Sequence, residues 1–149
     1  MFVSLDKIDH RNNNNNLIKK MNHFWKWKNQ EISWEVKEKE GIESPISIVL
    51  IHGFGASKDH WRFNQPSLSS VATCYAIDLI GFGDSTKPKS KLVYEKKEPD
   101  NFNYCFDNWS KQIIDFCNEV VQKPVVLIGN SIGGVIALNA SKKLSNKCS

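Results

Sequence analysis

The stretch LIGNSIGGVIAL, residues 127–138, joins an apolar run that is typical of a buried strand to a run with helical spacing. Its centre, GNSIG, has the form G-x-S-x-G around Ser131, with the strand before it and the helix after it that this motif requires. A serine on so sharp a turn has strained dihedrals, and glycines beside it avoid collisions with neighbouring backbone. The pattern predicts a serine hydroxyl exposed at the C-terminal edge of a parallel sheet.

The rest of the chain supplies the sheet that this turn needs. Apolar runs at residues 46–53 and 74–79 predict two further buried strands, because each lacks the polar alternation of a half-exposed strand. Helical segments separate the strands, so the sheet is predicted to be parallel. One helix is predicted to begin at an Asp107 cap and to end at Pro124, and a short helix is predicted to begin at a Ser57 cap.

Alternating tryptophans lie ahead of these strands. Trp25 and Trp27 precede the polar turn KNQE, and Ile32 and Trp34 follow it, which is typical of a hairpin. A ligand platform is one interpretation of these rings, but cross-strand packing in an edge hairpin is favoured.

Composition sets the limits of the interpretation. With 149 residues, 40% of them hydrophobic and 24% charged, the chain fits one domain, and a net charge of +4 does not single out nucleic acid as a partner. Residues 1–22 are predicted to be a flexible polar tail before a domain at 23–149, and residues 87–106 a surface excursion. The four cysteines have no regular spacing, which is typical of free thiols in a reducing compartment. No apolar run has the length of a signal peptide or a membrane-spanning helix, so the chain is predicted to be cytoplasmic.

Two more glycine-rich loops follow predicted strands. HGFGAS, residues 52–57, lies where an acyl-transfer enzyme of this architecture places its second oxyanion donor, and the N–H of Phe54 would act with that of Ile132. DLIGFGDS, residues 78–85, adds a loop at the same sheet edge. A glycine-rich turn with an incidental serine is the alternative, and these two loops count against it.

Together, the motifs HGFGAS, DLIGFGDS and GNSIGG resemble the α/β-hydrolase fold over about residues 24–149. The stretches HWRFNQPSLS, DLIGFGDSTKP, WSKQIIDFCNEVV and GNSIGGVIAL are more narrowly similar to the pheophytinase-like hydrolases of plants and cyanobacteria. The implied fold is the N-terminal half of this α/β class: an antiparallel hairpin leading into a parallel sheet with flanking helices. The residues that would shape the motif loops are His52, Gly53, Gly55, Gly129, Asn130, Gly133 and Gly134.

The resemblance implies that Ser131 attacks a carboxylic ester and forms an acyl-enzyme, with a histidine as base and an acid that orients it. Both partners follow the serine in this family's chain order, yet no histidine, aspartate or glutamate follows Ser131 here. The histidines are His10, His23, His52 and His60. Of these, His52 would shape the oxyanion loop and His60 is a weak candidate for a substitute base, as Asp59, Asp78 and Asp84 are for the acid.

We therefore expect a catalytically incomplete chain, with the strand at 125–128 left as an open edge. The expected partners are a hydrophobic small-molecule ester, such as a chlorophyll-derived phytyl ester, and a separately encoded C-terminal half. A degenerate hydrolase that binds a ligand or partner without catalysis is the alternative, and carbon–carbon cleavage or perhydrolysis also fits the motif.

No cofactor or metal is expected. His52 and His60 lie across a loop without a cluster of further ligands, and HGFGAS lacks the third glycine of a dinucleotide site.

Overall fold

The computed structural model of the chain describes residues 22–41, 43–90 and 102–144. The predicted flexible tail lies outside the described residues except for Asn22, and so do residues 91–101 of the predicted surface excursion.

Five strands form one mixed sheet in the order β1-β2-β4-β3-β5. The first two are antiparallel to each other, β2 is antiparallel to β4, and β4, β3 and β5 run parallel. The predicted hairpin and the three predicted apolar strands are therefore all confirmed. Their bounds are β1 His23–Trp27, β2 Gln30–Lys37, β3 Ser47–Ile51, β4 Thr73–Ile77 and β5 Val125–Gly129.

Helical segments connect the parallel strands. A 3-10 helix, Lys58–Trp61, and α1, Gln65–Ser69, join β3 to β4. The predicted cap is confirmed, since the Ser57 side chain accepts a hydrogen bond from the Asp59 N–H. Helix α2, Phe106–Phe116, continues into a π-helical turn, Cys117–Val121, and α3, Ile132–Leu144, follows β5.

Both faces of the parallel strands are covered, which explains why their sequences are apolar without interruption. In β3, Val49 and Ile51 belong to the core on the side of α2 and α3, whereas Ile48 and Leu50 belong to the core beneath the 3-10 helix and α1. Strand β5 differs, because only Val125 is buried and its other residues are half-buried. In the described part of the chain β5 pairs with β3 alone.

The hairpin holds its tryptophans against α2. Trp25 packs edge-on against Phe116 at 5.6 Å between ring centroids, and the indole N–H of Trp27 donates to Asp115 at 2.8 Å. The turn at Lys28 and Asn29 has positive φ at both residues, as a two-residue hairpin turn needs. These contacts favour the packing role predicted for the rings.

The predicted start of α2 is wrong. Helix α2 begins at Phe106, with extended Cys105 at its cap position, so Asp107 lies in the first turn and does not cap it. The helical segment ends at Val121 with a left-handed Gln122, ahead of Pro124. In the described part of the predicted excursion, the Tyr104 hydroxyl donates to the Pro88 carbonyl at 2.6 Å and the Tyr104 ring packs against the core.

Candidate active site

The strand-to-helix turn places Ser131 directly before α3, with its side chain exposed. Its φ of 54° lies in the left-handed region, which residues other than glycine rarely adopt. The Asn130 N–H donates to the Ile51 carbonyl at 3.0 Å and so fixes the turn to the end of β3. The strain predicted for Ser131 is thus present, and strain of this kind concentrates at functional sites.

Close backbone approach explains two glycines of the turn. A Cβ on Gly129 would meet the Gly133 carbonyl carbon and oxygen at 2.2 Å, and a Cβ on Gly133 would meet the Ile51 carbonyl oxygen at 2.3 Å. These distances leave no room for a side chain. Gly134 is different, since a Cβ there would lie 3.6 Å from the Gly129 oxygen, an ordinary contact.

The loop after β3 lies beside Ser131. A Cβ on Gly53 would come within 3.2 Å of the Ser131 Cβ, and the loop turns back through a hydrogen bond from the Ala56 N–H to the Gly53 carbonyl at 3.2 Å. Gly55, in this turn, has φ +70°. Among the described residues, the N–H groups of Phe54 and Ile132 have no hydrogen-bond acceptor. Two unpartnered amides therefore flank the serine loop at the positive end of α3.

His52 anchors the start of this loop. Its Nε2 accepts from the Leu79 N–H at 3.0 Å, so Nδ1 carries the proton and donates to the Gly53 carbonyl at 2.7 Å. The side chain is fully buried, and burial lowers the pKa of His52 below its ordinary 6.5 against the opposing effect of the Gly53 bond. Both ring nitrogens are occupied, so His52 is a positioning group and cannot also serve as a base.

We expect this buried neutral ring to make the fold sensitive to acid. Because the folded-state pKa of His52 is lowered, the unfolded chain binds more protons below pH 6.5, and the free energy of unfolding falls as pH falls. The slope for one proton reaches about 1.4 kcal/mol per pH unit. Urea unfolding of wild type and His52→Gln between about pH 7.5 and about pH 5.5 measures it. Equal pH slopes in the two proteins would contradict this role of His52.

A buried ion cluster, which the sequence pattern does not predict, holds the other end of the loop. Lys58 is 1% exposed, and its ammonium donates to Asp78 at 2.9 Å and to Asp84 at 2.7 Å. The backbone N–H of Lys58 also donates to Asp78, at 2.6 Å. Burial alone would lower the pKa of Lys58, but the bonds to Asp84 and Asp78 outweigh it and hold the pKa above its ordinary 10.5.

The loop that follows β4 wraps around the Asp78 carboxylate. The Asp84 N–H donates to it at 2.8 Å, and a Cβ on Gly83, which has φ +52°, would meet that carboxylate at 2.3 Å. The Asp78 carbonyl accepts from Ser85 and Gln112. Asp78 is therefore committed to holding two loops together and is not placed as a triad acid.

The remaining acid–base candidates lie elsewhere. His60 is exposed and packs edge-on against Trp61, and His23 stacks on Trp34 at 4.5 Å in the hairpin. Asp59 is exposed in the 3-10 helix. His10 lies outside the described residues. No described contact brings these candidates to the Ser131 hydroxyl.

Relief of the strain at Ser131 is measurable. We expect Ser131→Gly to be more stable than Ser131→Ala by about 1 kcal/mol, because only glycine adopts a φ of 54° without steric cost. Chemical denaturation of the two variants gives this difference directly. An alanine variant as stable as the glycine variant would mean that the turn relaxes at little cost.

No group of three or more histidine, cysteine, aspartate or glutamate side chains within residues 22–41, 43–90 and 102–144 is arranged to hold a metal ion. In the same ranges, no helix is both long and apolar enough to cross a membrane.

Comparison with known families and proteins agrees with this fold. The family described as alpha/beta hydrolase fold matches residues 46–149. The chain is 32% identical over 116 residues to 1-acylglycerol-3-phosphate O-acyltransferase ABHD5 of Sus scrofa, covering 78% of this chain and 31% of that protein. It is 31% identical over 120 residues to the (lyso)-N-acylphosphatidylethanolamine lipase of Homo sapiens, covering 80% and 32%.

Solved structures give the same picture. A membrane phospholipase A described as a bacterial virulence factor aligns with a TM-score of 0.69 at 30% identity, over 86% of this chain and 37% of that one. Est816, described as an N-acyl homoserine lactone degrading enzyme, aligns with a TM-score of 0.67 at 21% identity, over 85% and 42%, which supports the fold alone. The chain spans about a third of the length of the curated relatives it matches.

Proposed function

Because the chain belongs to the alpha/beta hydrolase fold family, we propose that it carries the nucleophile and the oxyanion hole of a serine hydrolase. The observation that carries the proposal is the left-handed Ser131, exposed between β5 and α3 beside the unpartnered amides of Phe54 and Ile132. An incidental serine in a glycine-rich turn would gain nothing from this strain, whereas a nucleophile needs the exposure that it provides.

In this mechanism the Ser131 oxygen attacks the carbonyl carbon of an ester, and the alcohol leaves as an acyl-enzyme forms. The N–H groups of Phe54 and Ile132 bind the oxyanion of the tetrahedral intermediate. Each such donor contributes about 2.7–4 kcal/mol of transition-state stabilisation in enzymes of this type. Water then attacks the acyl group and releases the acid.

The base of this reaction has to come from outside the chain as given. The sequence has no histidine after Ser131, and His52 uses both ring nitrogens to hold the oxyanion loop. We place the base and its acid on a further polypeptide segment that completes the site. Without a base, turnover falls by about 10⁶-fold, so the chain alone is expected to be nearly inactive.

The substrate that we favour is a carboxylic ester with a long apolar group. Two curated relatives are named for acylated phospholipids, and the Phe54 ring, 74% exposed, packs edge-on against Phe82 at 5.4 Å beside the serine loop. Such a pair offers an apolar surface next to the reacting carbonyl. A phytyl ester of a chlorophyll derivative, as in the pheophytinase-like hydrolases, belongs to the same class.

Hydrolysis of p-nitrophenyl butyrate tests the proposal. The 149-residue chain is assayed alone and after mixing with a separately produced C-terminal half of a related α/β hydrolase. We expect near-background release of p-nitrophenol from the chain alone, and hydrolysis in the mixture that Ser131→Ala abolishes. Hydrolysis by the chain alone at ordinary enzyme rates would contradict the proposal that the chain lacks the base. Hydrolysis by the mixture that Ser131→Ala leaves unchanged would contradict the proposal that Ser131 is the nucleophile.

A non-catalytic role is the second candidate, because both ring nitrogens of His52 are used to hold the loop beside Ser131. In that case the chain binds an apolar ligand or partner with the same loops. A mixture that binds the ester without hydrolysing it is the result expected of this candidate.

A further inference from the structure

Two residues anchor the loop that carries Phe54, and they bind the consecutive residues Asp78 and Leu79. At the N-terminal end of the loop, the first anchor, His52, accepts from the N–H of Leu79 at 3.0 Å. At the C-terminal end, the second anchor, Lys58, binds Asp78 through both its backbone N–H and its ammonium. The five residues between the anchors, 53–57, contain the turn that the Ala56 N–H closes on Gly53. The position of the Phe54 amide therefore depends on both anchors.

The second anchor is chemically unlike the first. Lys58 is 1% exposed, and its ammonium is shared between Asp78, whose side chain is fully buried, and Asp84, whose side chain is 58% exposed. Burying a charge is costly unless it is paired and hydrogen-bonded. A methionine of similar length would fill the same space without ionic contacts, so the charge itself is not needed to fill the core.

The charge instead joins three segments at one point. The 3-10 helix contributes Lys58, the end of β4 contributes Asp78, and the loop at residues 81–84 contributes Asp84. Hydrogen bonds to charged groups are directional and shorter than neutral ones, so they define the distance between these segments more closely than apolar packing does. The loop carrying Phe54 is thereby held in place at its Lys58 end.

We propose that Lys58 is a positioning residue of the oxyanion hole, which its ammonium keeps aligned through Asp78 and Asp84. The inference rests on the proposed function for its catalytic meaning, because the aligned group is the Phe54 amide. Lys58 itself does not touch the reacting atoms.

The test compares Lys58→Met with wild type by two readouts. Hydrogen exchange of the 149-residue chain reports the loop without any need for activity. We expect the Ala56 amide and the backbone amide of residue 58, which donate to the Gly53 carbonyl and to Asp78, to exchange about ten to a hundred times faster in Lys58→Met, while those of Val49 and Leu50 in β3 are unchanged. Unchanged exchange at Ala56 and at residue 58 would overturn the inference.

The second readout is the reaction of Ser131 with a fluorophosphonate in the mixture with the C-terminal half. A misplaced amide slows the chemical step and leaves inhibitor binding alone, so kinact should fall at least about tenfold while KI stays the same. An altered KI with the same kinact, or no change in either constant, would overturn the positioning role.

Three controls separate the possible outcomes. Lys111→Met removes an exposed lysine that pairs with Asp115 on α2, and it should change neither readout. Asp84→Asn weakens the anchor but keeps the pair of Lys58 with Asp78, so it should act in the same direction with a smaller effect if Lys58→Met does not fold. A wild-type protein that never reacts with the fluorophosphonate would refute the proposed function, while the exchange data would still decide whether Lys58 holds the loop.

Discussion

Gly133→Ala is expected to lower the free energy of unfolding by about 3 kcal/mol or more, because its methyl group has no space beside the Ile51 carbonyl. The distance available to a Cβ at this position is 2.3 Å from that oxygen and 2.7 Å from the His52 carbonyl. Both obstacles are backbone atoms at the end of β3, so relief requires the strand and α3 to separate. Urea denaturation followed by tryptophan fluorescence measures the change.

Gly134→Ala is the matched control, one residue further along the same helix. A Cβ there meets its nearest neighbour at 3.6 Å, and alanine is the better helix former by up to about 1 kcal/mol. This variant should be as stable as wild type or more stable. If the two alanine variants unfold at the same urea concentration, the contact between the serine turn and β3 is not as tight as described.

Asp78→Ala is the second substitution with a large expected effect. It leaves the Lys58 ammonium buried with Asp84 as its remaining partner and removes the acceptor of the Lys58 and Asp84 N–H groups. Breaking a buried ion pair in this way costs about 3–5 kcal/mol. We therefore expect a loss of that size in the free energy of unfolding, measured by chemical denaturation near neutral pH.

The double variant Lys58→Met with Asp78→Ala isolates the charge effect. It should recover a large part of the loss, because no ammonium is then buried without its Asp78 partner. Glu43→Ala provides a comparison, since it removes the partner of Lys123 in an exposed pair and should leave stability nearly unchanged. A double variant no more stable than Asp78→Ala would contradict the electrostatic explanation.

The strands and the serine turn were predictable because their signals are local. Unbroken apolar runs identify strands covered on both faces, and the spacing of glycines around Ser131 identifies a turn that only a few backbone conformations can form. The prediction of Asp107 as the helix cap is wrong for a local reason as well. A suitable capping residue can equally lie one residue inside the helix, where its charge still favours the helix dipole.

The ion cluster of Lys58 with Asp78 and Asp84 could not be predicted from local sequence signals. Lysine is normally a surface residue, and Lys58 stands between polar neighbours in a loop, so its sequence context predicts exposure. Its carboxylate partners are 20 and 26 residues away, and they approach it only because β3 and β4 are neighbours in the sheet. The sequence does contain one signal of this pairing: Lys58 follows one glycine-rich loop, and Asp78 and Asp84 lie in the next.

The site at which a fluorophosphonate attaches is the most direct measurement of the proposed chemistry. The chain is mixed with the C-terminal half of a related hydrolase, treated with the probe, digested and sequenced by mass spectrometry. We predict a single modification on Ser131, absent from Ser131→Ala. Attachment at another residue, equal labelling of Ser131→Ala, or no labelling of the mixture would contradict the assignment of Ser131 as the nucleophile.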